Sequence, residues 1–326
     1  MKFLLLIIFL SFLFSITIFY SITNWYVETY DATIKWSDYM KSKNKTNDEQ
    51  ILILGSSHIS ALNATYIQKK LEENKINYEI YNLSIGGDYP SRRLVTVDNL
   101  IELSPKIVIY GIDIRMFQKH SSNQNFETLD NNNFLPSPKQ ILEISLNPII
   151  NDENSPQFPK NPKLVTKNLL NLFLRNSTII HVADLDSNHP FTPANRQYDK
   201  IATVSELEED LENRYPTFPK IGSPESNSEF ISLMKIIEKF EKNGIKVIIF
   251  ATPSQKLLLD NIPNEILDDF DSYFVYIDSN SNANVSSLYS KYENLNVWSD
   301  VSHIAVNKQV LSYSDDITEL ILRSDT

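Results

Sequence analysis

Short apolar runs alternate with helix-like segments in the first and last thirds of this 326-residue chain, and this alternation is what most constrains its fold. Strands that alternate with helices form parallel sheets whose two faces are covered by helices. The sequence therefore predicts an α/β fold with a central parallel sheet, arranged as a three-layer α/β/α sandwich. The predicted strands are Ile51–Leu54, Tyr78–Leu83, Ile107–Tyr110, Lys246–Phe250, Tyr273–Ile277 and Leu295–Val297.

Apolar residues at helical spacing predict helices between these strands, including Phe230–Phe240 and a last helix carrying apolar residues from Val306 to Ile321. The alternation stops near Phe117, and residues 118–225 are rich in Asn, Pro and Ser. A stretch this long without regular pattern is either functional or disordered, and we interpret it as an insertion. We expect one α/β domain over 50–326, interrupted at 118–225 by an irregular insertion with one helix at Leu164–Leu174.

The amino-terminal segment has the composition of a membrane anchor. Residues 3–22 carry no charge, and a helix of that length spans about 30 Å, the thickness of the hydrocarbon core of a bilayer. No small-residue cleavage site follows this run, which favours an uncleaved transmembrane helix at 1–22 over a cleaved signal peptide. We expect residues 23–49 to form a juxtamembrane stalk, with the remaining chain outside the cytoplasm.

Charge and cysteine content exclude several classes of function. With 30 basic and 41 acidic residues, the net charge is −11, and no basic stripe is available to bind nucleic acid. The absence of cysteine excludes disulfides and thiolate metal sites. We expect no metal and no cofactor, and the sequence does not indicate an oligomeric state.

Three polar stretches follow predicted strands: GSSH at 55–58, IGGDY at 85–89 and GIDIR at 111–115. In open parallel sheets, sites form outside the carboxyl ends of the strands, so these stretches should share one edge. Ser57 in the first stretch is open to three interpretations. It could be a nucleophile beside backbone N–H donors, a helix cap, or part of a turn that binds an anion.

A serine nucleophile needs a base, and His303 is the best candidate among five histidines. Asp300 precedes it by three residues in WSDVSHIA, a spacing at which a carboxylate can orient one imidazole nitrogen. We therefore expect Ser57, Asp300 and His303 to form a catalytic set, with Ser57 and His303 within about 4 Å. His58 neighbours Ser57, but adjacent side chains on a turn usually diverge, so we interpret it as structural.

These blocks resemble those of the SGNH (GDSL-type) hydrolase superfamily over residues 50–117 and 230–322, including its membrane-anchored alanine-transfer (DltD) and alginate-acetylation members. The matching residues are Gly55, Ser56 (Asp in the family) and Ser57 in the first block, Asn82 and Gly87 in the second, and Asp300 and His303 in the last. The resemblance implies that the N–H groups of Ser57 and Gly87 stabilise an oxyanion.

The third block departs from the family pattern. The family has an Asn that donates to the oxyanion, whereas this chain has Asp113, and an ionised carboxylate cannot donate a hydrogen bond. We expect Asp113 to be ionised and paired with Arg115 or another cation. On that interpretation, Asp113→Asn should retain or increase ester hydrolysis.

The resemblance implies an extracytoplasmic serine esterase or acyltransferase that acts on O-acyl groups of a cell-surface glycan, a lipid-linked acceptor or another acylated small substrate. A second interpretation is a catalytically weakened glycan-binding or scaffold protein, with Asp113 as the mark of lost activity. A third is a phosphate- or nucleotide-binding domain, which the absence of a Walker lysine and of G-x-G-x-x-G disfavours.

Overall fold

The computed structural model describes residues 32–42, 50–85, 87–118, 200–306 and 310–325. Apart from residues 32–35, these belong to one compact unit. The predicted anchor, the predicted helix Leu164–Leu174 and most of the predicted insertion lie outside the described residues. Within the described ranges, no helix is both long and apolar enough to cross a membrane.

Five parallel strands form one sheet in the order β2-β1-β3-β4-β5. The prediction of an α/β fold with a central parallel sheet is confirmed, and the first four predicted strands agree with the observed ones to within two residues. The strands are β1 Gln50–Gly55, β2 Glu79–Ser84, β3 Ile107–Ile112, β4 Lys246–Ala251 and β5 Asn284–Ser287.

Helices cover the sheet, since every residue of the neighbouring strands β1 and β3 is buried. Helix α2 packs on α9, and α3 packs on α6. The helices are α1 Ala32–Ser42, α2 Ala64–Glu73, α3 Pro90–Ile101, α4 Ile114–Phe117, α5 Val204–Arg214, α6 Ser228–Lys242, α7 Lys256–Asn261, α8 Asn264–Asn280 and α9 Ser312–Asp325.

Two predicted strands are wrong. Tyr273–Ile277 lies inside helix α8, and Leu295–Val297 lies outside the sheet, whose fifth strand is Asn284–Ser287. The apolar run in α8 suggested a strand, but its buried residues repeat at helical spacing while Val275 stays 67% exposed. The buried positions of this helix are Ile266, Phe270, Tyr273 and Ile277.

Two other predictions need correction. The last helix begins at Ser312, so Val306 and Val310 precede it, and it does not follow His303 directly. The end of the predicted irregular insertion contains α5, whose first turn is closed by a capping box between Thr203 and Glu206. The isolated antiparallel bridge between Trp298 and Ile304 follows directly after Leu295–Val297, the predicted sixth strand.

Part of the predicted stalk packs on the domain. In α1, the ring of Trp36 is buried 5.2 Å from the ring of Tyr81 on β2. The Ser37 hydroxyl donates to the carbonyl of Asn99 at 2.9 Å. The packed structure therefore includes chain that precedes residue 50.

Candidate active site

The carboxyl ends of β1 and β3 meet at the centre of the sheet, where Gly55 lies beside Gly111 in register. Gly55 has φ +148°, and a Cβ there would lie 2.7 Å from the Gly111 carbonyl oxygen. Only glycine fits this close approach of two backbones. The GSSH turn therefore leaves β1 directly against the loop that follows β3.

Ser57 begins a short 3₁₀ turn, Ser57–Ile59, and the α-helix α2 starts only at Ala64. The buried Asn82 side chain fixes this turn by donating to the carbonyls of Ile59 at 3.0 Å and Leu62 at 3.1 Å. Asn82, one of the residues that carry the sequence resemblance, therefore holds the serine loop in place.

The structure brings Ser57, His303 and Asp300 together across 246 residues of chain. The Ser57 hydroxyl lies 2.8 Å from His303 Nε2, well within the expected 4 Å. The other ring nitrogen, Nδ1, lies 2.9 Å and 2.8 Å from the two carboxylate oxygens of Asp300. The hydroxyl, imidazole and carboxylate are therefore arranged for proton transfer from the serine to the ring.

A tight turn fixes Asp300 and His303 relative to one another. Asp300 Oδ1 accepts the backbone N–H groups of Ser302 and His303, each at 2.8 Å. The bridge between Trp298 and Ile304 closes the turn at its base. Since the spacing D-x-x-H itself builds this turn, the pair is local and readable in the sequence.

A residue that sequence analysis missed, Arg214, holds Asp300 from the other side. At the end of α5, its guanidinium donates to Asp300 Oδ2 at 2.7 Å and to the Ser302 hydroxyl at 2.9 Å. On the same helix, Asp210 accepts the backbone N–H of Val301 at 3.2 Å. The capping sequence T-x-x-E at Thr203 was the available signal for this helix.

Burial and charge set the protonation of the pair. The pKa of His303 is lowered to about 4, chiefly by desolvation and also by the nearby charge of His58, against the opposing effect of Asp300. Burial raises the pKa of Asp300, but His303 and then Arg214 outweigh this and hold that pKa far below its usual value. At neutral pH the site therefore holds a neutral imidazole and an ionised carboxylate, the forms that a base and its orienting group require.

Gly87 lies at the same edge, three residues beyond β2, with φ +68° and an exposed backbone. A buried ion pair anchors its loop, since Arg93 Nη2 contacts Asp88 Oδ2 at 2.7 Å and donates to the Leu83 carbonyl at 3.2 Å. The implied role of Gly87 as an oxyanion donor stays a prediction.

Asp113 lies directly after β3, and the group that pairs with its carboxylate is His58, whereas the Arg115 guanidinium bonds to the Tyr215 hydroxyl. His58 Nδ1 lies 2.9 Å from Asp113 Oδ2 in a charge contact without the alignment of a hydrogen bond. Burial raises the pKa of Asp113, but the charge and proximity of His58, followed by Arg115 and Ser56, hold it below its usual value.

His58, which the sequence analysis interpreted as a structural residue, lies directly beside His303 and Asp113. Its ring centroid is 4.6 Å from that of His303, at an interplanar angle of 60°. The side chains of Ser57 and His58 have different partners: Ser57 contacts His303, and His58 contacts Asp113. The sequence held no signal for this contact because Asp113 and His58 are 55 positions apart.

A partly open pocket adjoins this cluster. Apolar side chains such as Ile114, Leu258 and Phe218 form its walls, and His58, Asp113 and Ser302 line its polar side. Among the described residues, no group of three or more His, Asp or Glu side chains is placed to hold a metal ion.

No protein-family model matches the chain, and no curated protein matches it either. Among solved structures it is similar to a proposed acylhydrolase of Bacteroides fragilis NCTC 9343, at 12% identity and a TM-score of 0.39 over 89% of this chain and 96% of that one. It is also similar to a GDSL-like lipase of Bacteroides thetaiotaomicron VPI-5482, at 10% identity and a TM-score of 0.38 over 89% and 96% of the two chains. At these TM-scores neither likeness bears on the chemistry, which rests on the side chains described above.

Proposed function

We propose that this protein is a serine-dependent carboxylic-ester hydrolase or O-acyltransferase. The observation that carries the proposal is the relay of Ser57, His303 and Asp300, in which Ser57 Oγ lies 2.8 Å from His303 Nε2 and His303 Nδ1 lies 2.8 Å from Asp300 Oδ2. This arrangement of nucleophile, base and orienting carboxylate is the geometric signature of acyl transfer through a serine.

In the proposed reaction, the Ser57 hydroxyl attacks the carbonyl carbon of an ester while His303 Nε2 takes its proton. The tetrahedral intermediate collapses, the C–O bond to the alcohol breaks, and the alcohol leaves with the proton from His303. Water or a second alcohol then attacks the acyl-serine, and His303 takes and returns one more proton. Asp300 keeps the proton on Nδ1 throughout and stabilises the imidazolium that forms in each half-reaction.

Backbone donors complete the proposed site. The Ser57 N–H and the Gly87 N–H would bind the oxyanion, and each such donor contributes on the order of 3 kcal/mol. The buried Asp88–Arg93 ion pair supports this assignment because it holds the loop that carries Gly87.

We further propose that the enzyme is membrane-anchored, with its catalytic domain outside the cytoplasm, and that its acceptor or substrate is a cell-surface glycan, a lipid-linked acceptor or another acylated small molecule. The support is the uncharged run at residues 3–22 and the resemblance to membrane-anchored acyl-transferring proteins. Full-length protein should sediment with membranes and resist extraction by high salt. A mature protein that begins after residue 22 would contradict an uncleaved anchor.

The second candidate is a glycan-binding or scaffold protein with weakened catalysis, and Asp113 in place of an amide donor is the observation that favours it. The two candidates differ in the reactivity of Ser57. A binding protein has no need for a serine hydroxyl that lies against a neutral, buried imidazole.

Labelling with a fluorophosphonate probe, together with hydrolysis of p-nitrophenyl acetate, tests the proposal. We expect the wild-type protein to be labelled and Ser57→Ala to lose both labelling and at least about 10⁴-fold in kcat, as a missing nucleophile should. Ser60→Ala is the matched control, because its hydroxyl donates to the Ser57 carbonyl at 2.6 Å and belongs to the same turn.

A folded wild-type protein that neither reacts with the probe nor hydrolyses the ester would contradict the enzyme and favour the binding protein. Labelling that survives Ser57→Ala would assign the reactive serine elsewhere. Release of acyl groups to water or to added alcohols in the same assay separates hydrolase from transferase.

A further inference from the structure

Two imidazoles lie side by side in this site, and each has its own carboxylate. His303 contacts Asp300 through Nδ1 at 2.8 Å, and His58 contacts Asp113 through Nδ1 at 2.9 Å. The ring centroids are 4.6 Å apart, and both rings are almost fully buried. The proposed reaction uses only the first pair, so the second pair requires an explanation.

Asp113 does not act as an oxyanion donor, because donors already surround its carboxylate. Oδ1 accepts the Arg115 backbone N–H at 2.9 Å, and Oδ2 accepts the Ser56 hydroxyl at 3.2 Å and faces His58 Nδ1. A neutral carboxyl would have to place its proton against one of these donors. Asp113 is therefore ionised, in agreement with its lowered pKa.

The orientation of His58 leaves one ring edge available to a ligand. Its Nδ1 is buried against Asp113, while the ring lines the pocket beside Ser302 and Ile114. Nε2 has no hydrogen-bond partner among the described residues and, unlike Nδ1, it is not fully buried, so it is the ring nitrogen left for a ligand. An imidazolium carries an N–H on both nitrogens, and Asp113 faces only Nδ1.

We propose that His58, as the imidazolium of its pair with Asp113, donates its Nε2–H to the substrate oxygen that becomes negative during acyl transfer. This inference rests on the proposed serine-ester chemistry. His58 would then supply the donor that an amide would otherwise provide at position 113. Asp113 acts through His58 as a positioning residue and does not touch the substrate.

The same arrangement gives the two imidazoles different tasks. A positive His58 disfavours protonation of its neighbour and contributes to the lowered pKa of His303, which keeps His303 available as a base. Two titratable groups whose surroundings separate their protonation states can serve as acid and base in one site. The charged or titratable groups around the pair are Asp113, Asp300, Arg115, Arg214 and Tyr313.

Two substitutions at position 58 distinguish a role of His58 as a hydrogen-bond donor from a role in packing. His58→Leu keeps the volume and removes the donor, and His58→Gln keeps an amide N–H of similar reach without charge. For p-nitrophenyl acetate hydrolysis, we expect His58→Leu to lose about 10²-fold in kcat with KM changed less than about threefold. The kcat of His58→Gln should be about tenfold higher than that of His58→Leu.

The acid limb of kcat/KM gives a second measurement that packing alone would not alter. His58→Gln removes a positive charge near His303, so protonation of His303 becomes easier and the limb should move to higher pH. A unit charge about 5 Å away accounts for a shift of about one pH unit. Should His58→Leu fail to fold, this shift in His58→Gln carries the test.

Asn63→Ala is the matched control for lost stability, because Asn63 caps α2 by accepting the Tyr66 N–H at 3.0 Å. It should lower the melting temperature without changing kcat or the acid limb. The inference is overturned if His58→Gln leaves the acid limb in place, or if His58→Leu retains wild-type kcat. Wild-type protein without Ser57-dependent hydrolysis overturns the proposed function and this inference together.

Discussion

The two aspartate–histidine pairs of the site show how similar groups acquire different properties from the chain around them. Asp300 and His303 are three residues apart in one turn, and Asp300 accepts bonds from two backbone N–H groups and from Arg214. Asp113 and His58 come from loops after two different strands, and their contact is short but poorly aligned. The first pair is a rigid local unit, whereas the second exists only because β1 and β3 are neighbours in the sheet.

In the proposed mechanism, distance from the Ser57 hydroxyl, more than the type of side chain, decides which histidine is the base. Nε2 of His303 lies 2.8 Å from the Ser57 hydroxyl, while the ring of His58 lines the adjacent pocket. If this assignment is right, damage to the first pair should be far more costly than equal damage to the second.

Asp300→Asn should have the largest effect, a loss of about 10³–10⁴-fold in kcat. An amide can present N–H to His303 Nδ1 and so stabilise the tautomer that carries its proton on Nε2, which leaves that nitrogen unable to accept the Ser57 proton. Steady-state hydrolysis of p-nitrophenyl acetate measures this loss. Asp315→Asn, which alters an exposed acceptor of the Tyr66 hydroxyl, is the control and should retain full activity.

Asp113→Asn should lower kcat/KM by about 10–100-fold, because the amide cannot accept from every donor around position 113 and no longer balances the charge of His58. This expectation reverses the one drawn from the sequence, where Arg115 was the first-named cation for Asp113. Asp98→Asn, which removes a surface partner of Lys239, provides the comparison for charge loss alone. Equal losses from Asp113→Asn and Asp300→Asn would remove the distinction between the two pairs.

Arg214→Gln should reduce kcat by about tenfold, since Asp300 keeps its two backbone donors and its contact with His303. The reduction reflects a less firmly oriented carboxylate and a lost positive charge beside it. Arg323→Gln, at an exposed arginine on α9 paired with Glu319, is the matched control. Unchanged kinetics in Arg214→Gln would limit the role of α5 to packing.

The smallest expected effect is the response of the wild-type protein to mild acid. Because the pKa of His303 is lowered to about 4, the base stays neutral well below the usual imidazole pKa of about 6.5, and activity falls only as pH drops through the lower value. We expect kcat/KM at pH 5.5 to stay within about twofold of its value at pH 7.5. An acid limb near pH 6.5 would show that His303 is better solvated than its burial suggests.

The features that depend on local pattern could be predicted from the sequence. Apolar runs marked the three central strands β1, β3 and β4, because strands buried on both faces are continuously apolar. The spacing of Asp300 and His303 marked their turn, because a carboxylate three residues before a histidine reaches its backbone and its ring together. Ser57 followed from a glycine and polar residues at the end of a buried strand.

Tertiary structure decided what depends on residues distant in the chain. Arg214 reaches Asp300 from 86 positions away, and Asp113 and His58 meet only where parallel strands end side by side. The run at Tyr273–Ile277 is helical because its apolar residues pack one face of α8 while Val275 stays in water. Strand order, burial and charge pairing arise from contacts between distant segments, and a local pattern of residue types carries no record of which segments will meet.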